Sequence, residues 1–307
     1  MKFLTVLTTV AVILLFMFCG LFTVKIGKAK TEHAQSVSGL LMYICAPAML
    51  ISSFLNIEHT KDAIISVGIF FLVSLTLQFL FFLILFLFLR KKFENAKYRI
   101  FTVASFMGNV GFFGLPLVTA LFPDNPIVAC YSCANMLSMN MLVYTLGTYL
   151  ITGDKKFVSV KTMLLNPTSI ALYIALPLYF FSVPIHPKLL EAITLLGKMT
   201  TPLCMFVLGM RLASVSLKQL VSEPTAYLAA AAKLVVYPLF CFLVIKFLPF
   251  FDETFKITIF ALSSTPSAAF VLTLAELHEK EQALSANVVL LSCIFSIVTI
   301  PLLLLLA

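Results

Sequence analysis

The chain is written in long apolar blocks separated by short polar stretches. Ten blocks stand out, at about 4–24, 34–56, 63–89, 100–122, 126–152, 167–183, 189–210, 224–248, 256–276 and 284–306. Each approaches or exceeds the roughly 20 residues that a helix needs to cross a hydrocarbon core. The stretches between them run to about 5–15 residues, far below the roughly 50 that a folded domain needs. The pattern predicts an all-α integral membrane protein of ten transmembrane helices, with the lipid bilayer as its first partner.

Composition agrees with the pattern. Hydrophobic residues make up 61 % of the 307 positions, charged residues only 11 %, and the mean hydropathy is +1.09. A soluble domain of this length carries a more charged surface. The net charge of +8 would suit a polyanion, but its distribution points elsewhere. With the N-terminus outside, the inner loops hold fourteen cations, among them Lys25, Lys28, Lys155, Lys161, Arg211 and Lys218, against six outside, including Lys2 and Lys188. That bias is the positive-inside signature. It accounts for the basic balance without nucleic acid. The expectation is a multi-pass protein of the cell (plasma) membrane with both termini outside. The first run, Leu4 to Val24, is too long for a signal-peptide core and no small-x-small cleavage site follows it, so it reads as a retained span.

The prolines and breaks suggest a duplicated chain. CAPAML surrounds Pro47 in the second block and TTPLCM surrounds Pro202 in the seventh. GNVGFFGLP ends at Pro116 in the fourth, and SSTPS surrounds Pro266 in the ninth. Pro47 to Pro116 is 69 residues and Pro202 to Pro266 is 64. Each pair marks the second and fourth members of a five-helix unit. Because five is odd, the second unit enters the membrane inverted, a plan common among secondary transporters. The expected organisation is a first inverted repeat at 1–153, a cytoplasmic linker at 154–166 and a second repeat at 167–307.

Two blocks are interrupted. Phe106 to Pro116 holds three glycines and a proline in eleven residues, where each glycine costs a helix about 1 kcal/mol and proline about 3. A freed backbone group in lipid costs several kcal/mol unless protein or water satisfies it, so a break must line a protein-buried cavity. In the ninth block, Ser263-Ser264-Thr265-Pro266-Ser267 reads as an N-cap followed by proline in a first turn, opening a half-helix near Thr265. By the same logic Gly114 and Pro116 open the second half of the fourth span. Two half-helix N-termini converging near the midplane would suit a carboxylate. The residues expected to bind a small organic anion are Gly108, Asn109, Gly111, Gly114 and Pro116 from one break, and Ser263, Ser264, Thr265, Pro266 and Ser267 from the other.

Gly108-Asn109-Val110-Gly111-Phe112-Phe113-Gly114-Leu115-Pro116 resembles the fourth-span signature of the auxin efflux carrier family, which includes bacterial malate-type permeases and shares the fold superfamily of the bile acid/sodium symporters. Ala261 to Pro266, Leu290-Leu291-Ser292 through Thr299-Ile300-Pro301, and Lys233 with Pro238 are similar to that family too, so the resemblance covers essentially the whole chain. It implies ten spans, with broken helices four and nine crossing at the substrate site. Spans 1, 2, 6 and 7 would form a scaffold, and spans 3–5 and 8–10 a moving transport domain. The plant members' long cytosolic loop is missing here, where residues 153–166 are short. This points to a compact bacterial-type carrier and away from auxin itself.

Polar residues inside the blocks add candidates. Lys233 lies about ten residues into the eighth, near the bilayer centre at about 1.5 Å per residue. A buried ammonium there needs a cavity or partner; it would attract an anionic substrate or release a proton, or else snorkel to the surface. Asn135 and Ser138 share one face of the fifth span, with Asn140 beyond. They would line the path or bond to neighbouring helices. Glu191 and Glu276 sit near block ends and read as interfacial, and no Asp or Glu falls in mid-span. Cys130 and Cys133 form a CxxC with no completing pair or histidine, and the four histidines (33, 59, 186 and 278) fall in loops. No metal or cofactor is therefore expected. Intramembrane proteases need motifs such as GxSxG with a membrane His, or HExxH, so an enzyme is not expected either.

The leading expectation is a secondary carrier or uniporter for a mono- or dicarboxylate or an auxin-like weak acid. The alternatives are a sodium-coupled symporter of bile-acid-type amphipaths and a channel. Sequence leaves substrate, direction, coupling ion and oligomeric state open, with a proton and a homodimer the candidates for the last two.

Overall fold

A computed structural model describes residues 2–58, 60–213 and 223–306. His59 and Lys218, placed in loops above, lie outside the described residues, as does the side chain of Lys2. In chain order the helices are α1 (Phe3–Lys25), α2 (His33–Leu55), α3 (Lys61–Lys92), α4 (Ala96–Phe106), α5 (Val110–Leu121), α6 (Ile127–Thr152), α7 (Lys155–Phe180), α8 (Pro187–Leu212), α9 (Pro224–Lys246), α10 (Glu253–Ser263), α11 (Ala269–Leu277) and α12 (Gln282–Leu303). Eight of them are long and apolar enough to cross a membrane. The other four form two interrupted pairs, α4/α5 and α10/α11, at the fourth and ninth predicted blocks. Within α7 the regular helix is Pro167–Phe180, preceded by a short helix, Val160–Leu165, inside the stretch read as a linker.

Short polar side chains start several of the helices at their outer ends. The Thr60 hydroxyl accepts from Ala63 N at 3.2 Å to open α3, and Asn95 accepts from Lys97 N at 3.0 Å to open α4. Asn166 caps Ser169 N at 3.0 Å, with Pro167 at the first helical position, and Asp252 caps Phe255 N at 2.6 Å. Each cap satisfies a donor that the helix itself cannot.

Helices α1, α2, α7 and α8 pack together as one layer: α1 runs along α8, and α2 packs against both α7 and α8. The α1–α8 contact is close because small residues face backbone. A Cβ on Gly209 would overlap the Met17 carbonyl oxygen and come within 2.8 Å of Leu21 N, and one on Gly20 would lie 2.8 Å from Phe206 Cα. The remaining helices form the second body, in which α3 packs on α6, α9 on α12, and α10 on both α6 and α9. Exchanging the first five segments with the last five turns the α1–α8 contact into α7–α2, and α3–α6 into α9–α12.

The two interrupted pairs meet at their breaks. Residues 107–109 and 266–268 run antiparallel through a single bridge, Gly108 with Ser267. Asn109 N donates to Pro266 O at 2.8 Å, and Ala268 N donates to Met107 O at 2.9 Å. Ser267 contributes twice more: its Oγ donates to Ala104 O at 2.9 Å, and its N donates to Ser292 Oγ at 3.0 Å. Backbone groups freed by one break are thus taken up largely by the other, as an apolar surrounding requires.

Candidate functional site

The two spans are interrupted within the stretches the sequence marked, but their second halves do not start where it suggested. The second half of the fourth span starts at Val110, with Asn109 in the cap position, rather than at Gly114 or Pro116. The second half of the ninth starts at Ala269 with Ala268 as cap, rather than at Thr265. The reason is the crossing: Pro266 and Ser267 are held extended by their pairing with 107–109. The hydroxyls expected to cap or bind are spent backwards. Ser263 and Ser264 donate to Phe260 O at 2.8 Å each, and Thr265 donates to Leu262 O at 2.7 Å. These bonds close the C-terminal end of α10. Neither internal helix start has a side-chain cap. Their first N–H groups find no carbonyl within their own helix.

Both uncapped starts line one narrow cavity of about 120 Å³. Asn109, Val110, Gly111 and Phe112 border it from one break, and Ala268, Ala269 and Phe270 from the other. Ser38 and Leu41 of α2, Thr168 of α7 and Leu208 of α8 close the opposite wall. Ser38, Thr168 and Arg211 mark the end of the bundle that carries the basic loops, so the cavity lies towards that end. A wider cavity of about 720 Å³ lies towards the other end, between α1, α2, α8 and the Leu115–Thr119 part of α5. Met49 lines the wide cavity, and its Cε would lie 3.7 Å from a Cβ on Gly111, which borders the narrow one. With Met136, whose sulfur would lie 2.5 Å from the same Cβ, it forms the partition.

Of the expected binding residues, Asn109 and Gly111 line the narrow cavity and Pro116 the wide one. Asn109 is 4 % exposed, and its buried Nδ2 makes no hydrogen bond of ordinary length, with the Cys204 thiol of the same cavity wall beside it. Gly108 and Gly114 belong to the crossing. A Cβ on Gly108 would sit 2.6 Å from Thr265 Oγ1, and one on Gly114 2.6 Å from Leu262 Cδ2. Ser263 to Ser267 are buried in the crossing as well and lie away from the cavity wall.

Asn135 is elsewhere. Its Oδ1 accepts from Gln78 Nε2 of α3 at 3.1 Å, and the same nitrogen donates to Ser138 Oγ at 2.9 Å. It serves the inter-helix bonding that sequence held as its second reading. Asn140, one turn further along α6, is the residue that lines the cavity, donating to Thr168 Oγ1 at 2.9 Å.

Lys233 is completely buried and does not snorkel. Its Nζ donates to Ser263 O at 2.6 Å and lies 5.0 Å from the centre of the Tyr237 ring. Its Cε and Nζ would both lie 3.2 Å from a Cβ on Gly108. The ammonium therefore sits at the C-terminal end of α10, where helix dipoles leave partial negative charge. It is not among the residues lining the narrow cavity.

Sequence reasoning missed Arg211, which it placed in a loop. Arg211 lines the narrow cavity and pairs with Glu276 of α11 at 2.8 Å. Among the described lining residues it is the one with a full charge. Two half-helix starts at about +0.5 each and one guanidinium thus face about 120 Å³. Among the described residues that border it there is no Asp or Glu, although the carboxylate of Glu276 lies against Arg211. No group of three or more His, Cys, Asp or Glu that could hold a metal ion occurs among the described residues. Cys130 instead donates its thiol to Ser53 O at 3.2 Å.

Comparison with known proteins adds the family. A family model described as "Membrane transport protein" matches residues 5–160 and 154–304. An uncharacterized transporter of Methanocaldococcus jannaschii is 27 % identical over 304 residues, covering 95 % of this chain and 96 % of its own. A second uncharacterized transporter, from Methanothermobacter thermautotrophicus, is 23 % identical over 301 residues, covering 96 % of each chain.

Proposed function

Because the chain belongs to the membrane transport protein family, that of the auxin efflux carriers, we propose that it is a secondary carrier or uniporter of a small organic anion, working by alternating access. The observation that carries this reading is the pair of uncapped half-helix starts facing one cavity with Arg211. Backbone N–H groups and a guanidinium favour a carboxylate. Asn109 Nδ2 supplies a further donor.

Size narrows the class. At ~30 Å³ per water, the 120 Å³ cavity holds about four water-sized groups, well below the roughly 300–1,000 Å³ of drug-sized sites. This size favours a short mono- or dicarboxylate over a bile-acid-type amphipath. The cavity walls divide between α2, α7 and α8 on one side and the helices carrying the crossing on the other. A rigid shift of the second body against the first would close this cavity and open the site past Met49 to the wide one. A plasma-membrane location with the basic end inside and both termini outside, with a proton as coupling ion and a homodimeric assembly, completes the proposal.

The test is a thermal-shift screen of the purified protein against acetate, lactate, malonate and malate, with and without sodium and at two pH values, followed by uptake into proteoliposomes. Stabilisation by at least one of these acids, with uptake that Asn109→Ala reduces, supports the reading. If none stabilises the protein and Asn109→Ala transports as wild type does, the site assignment fails. Uptake that requires sodium would favour the symporter alternative instead.

A further inference from the structure

Among the described residues, three ion pairs stay within one body or one loop. Lys97–Glu223 links α4 to the residue before α9, Lys156–Asp154 closes a turn, and Lys188–Glu191 lies along one turn of α8. Arg211–Glu276, at 2.8 Å, joins the α1/α2/α7/α8 layer to the body that carries the crossing. Its two members are held differently. Arg211 sits in the last turn of α8, where the helix dipole favours a cation, and its neighbours Val207 and Met210 pack with Ala34 of α2. Its side chain is 17 % exposed and borders the cavity. Glu276 occupies the last turn of α11, where the same dipole disfavours a carboxylate, and its side chain is 42 % exposed. The arginine is fixed in the cavity wall, and the glutamate is the partner that can leave for water.

We propose that Glu276 holds the place of the transported anion. A carboxylate entering the narrow cavity displaces Glu276 from the Arg211 guanidinium, and the exchange uncouples α11 from α8 and frees the second body to move. The planar fork of arginine binds one carboxylate bidentately, so substrate and Glu276 compete for it. The empty carrier is held more strongly at its basic end than the loaded carrier, so occupancy speeds the movement. Arg211 then sets specificity for anions and Glu276 couples occupancy to movement. This inference rests on the anion-carrier reading above.

The experiment titrates purified full-length protein with acetate, lactate, malonate and malate at constant ionic strength, reading half-saturation from the unfolding midpoint. Glu276→Gln removes the competitor and keeps the guanidinium, so half-saturation should fall about tenfold. Arg211→Gln removes the docking cation, so it should rise about tenfold or more. Arg211→Lys keeps the charge without the fork and should fall between wild type and Arg211→Gln. A plain structural staple would make the two neutral variants alike. The charge swap, Arg211→Glu with Glu276→Arg, would restore a staple but not the site. Neutral variants that shift binding in the same direction, or a swapped protein that binds as wild type does, overturn the exchange while the wild-type response keeps the carrier reading intact. A wild type that none of the four acids stabilises overturns the carrier reading, and this inference with it.

Discussion

Asn109→Ala separates a binding residue from a structural one by predicting opposite signs for two measurements. The Asn109 amide nitrogen is buried and meets only the Cys204 thiol, outside ordinary hydrogen-bond geometry, a state that costs up to about 1–3 kcal/mol. Its backbone holds the crossing instead: the N–H bonds Pro266 O at 2.8 Å, and the carbonyl accepts from Phe113 and Gly114 at 3.0 Å each. Truncation leaves these bonds in place and removes the poorly paired donor. The ligand-free protein should therefore melt no lower than wild type, and up to about 1–2 kcal/mol of stability should be gained once some packing loss is set against the relief. For the anion, a donor lost to a charged acceptor weakens binding by about 1.5–3 kcal/mol, roughly 10- to 100-fold in half-saturation. Asn109→Asp sharpens the contrast, because its carboxylate would stand at the start of α5 and occupy the anion's place. It should stabilise the empty protein and abolish uptake. The assays are paired melts in detergent, with and without malonate or acetate, and initial uptake rates in proteoliposomes. A lower melt for ligand-free Asn109→Ala, with half-saturation unchanged, would refute the reasoning and make the residue part of the scaffold.

Three further outcomes follow from the geometry. Lys233→Ala should lower thermal stability by about 3 kcal/mol or more, losing a charged hydrogen bond and leaving a cavity, and Lys233→Met by about 1.5–3, losing the bond alone. Both should leave anion half-saturation within about threefold of wild type, and a loss of binding without a loss of stability would return Lys233 to the substrate site. Gly209→Ala should separate α1 from α8 and destabilise the first layer by about 1–3 kcal/mol, measured as a lower melt, whereas Gly68→Ala, where a Cβ meets nothing within 4 Å, should be neutral. Cysteine introduced at Lys188 should react with an impermeant maleimide in intact cells and cysteine at Lys156 only after permeabilisation; the reverse pattern would overturn the orientation drawn from the basic loops.

The long apolar blocks were legible because one-dimensional hydrophobicity is all that a lipid-facing helix needs. The two breaks were legible because glycine and proline act on their own backbone. What a break becomes was not. Reading Thr265-Pro266 as a cap and first turn uses only local chemistry, and the pairing of 266–268 with 107–109 is a tertiary event some 160 residues away. The same limit hid Gln78 as the partner of Asn135 and turned Arg211 into a loop residue. A charge at the end of an apolar run looks interfacial until the packing of α8 and α11 shows what it faces. Lys233 was legible as a mid-span cation, ten residues inside its block, but neither its burial rather than snorkelling nor the helix end it serves could be read.

The displaced hydroxyls explain why backbone N–H groups are what the proposed site offers an anion. Several outer helix starts in this chain are closed by a Thr, Asn or Asp side chain, as at Thr60, Asn95 and Asp252. Others, at Glu32, Pro126, Glu223 and Glu281, have no side-chain cap but lie outside the crossing. At the crossing, five consecutive residues from Ser263 to Ser267 offer four hydroxyls, and every one of them accepts a structural duty facing α10 or α4. Asn109, which stands in a cap position, makes no cap bond either. The N–H groups of α5 and α11 are thus kept uncapped by the bonding that builds the crossing. A cap introduced at Ala268, as Ala268→Ser, should supply the missing acceptor, stabilise α11 by about 1 kcal/mol and weaken anion binding together with it. If Ala268→Ser stabilises the protein and leaves half-saturation unchanged, those N–H groups do not hold the anion.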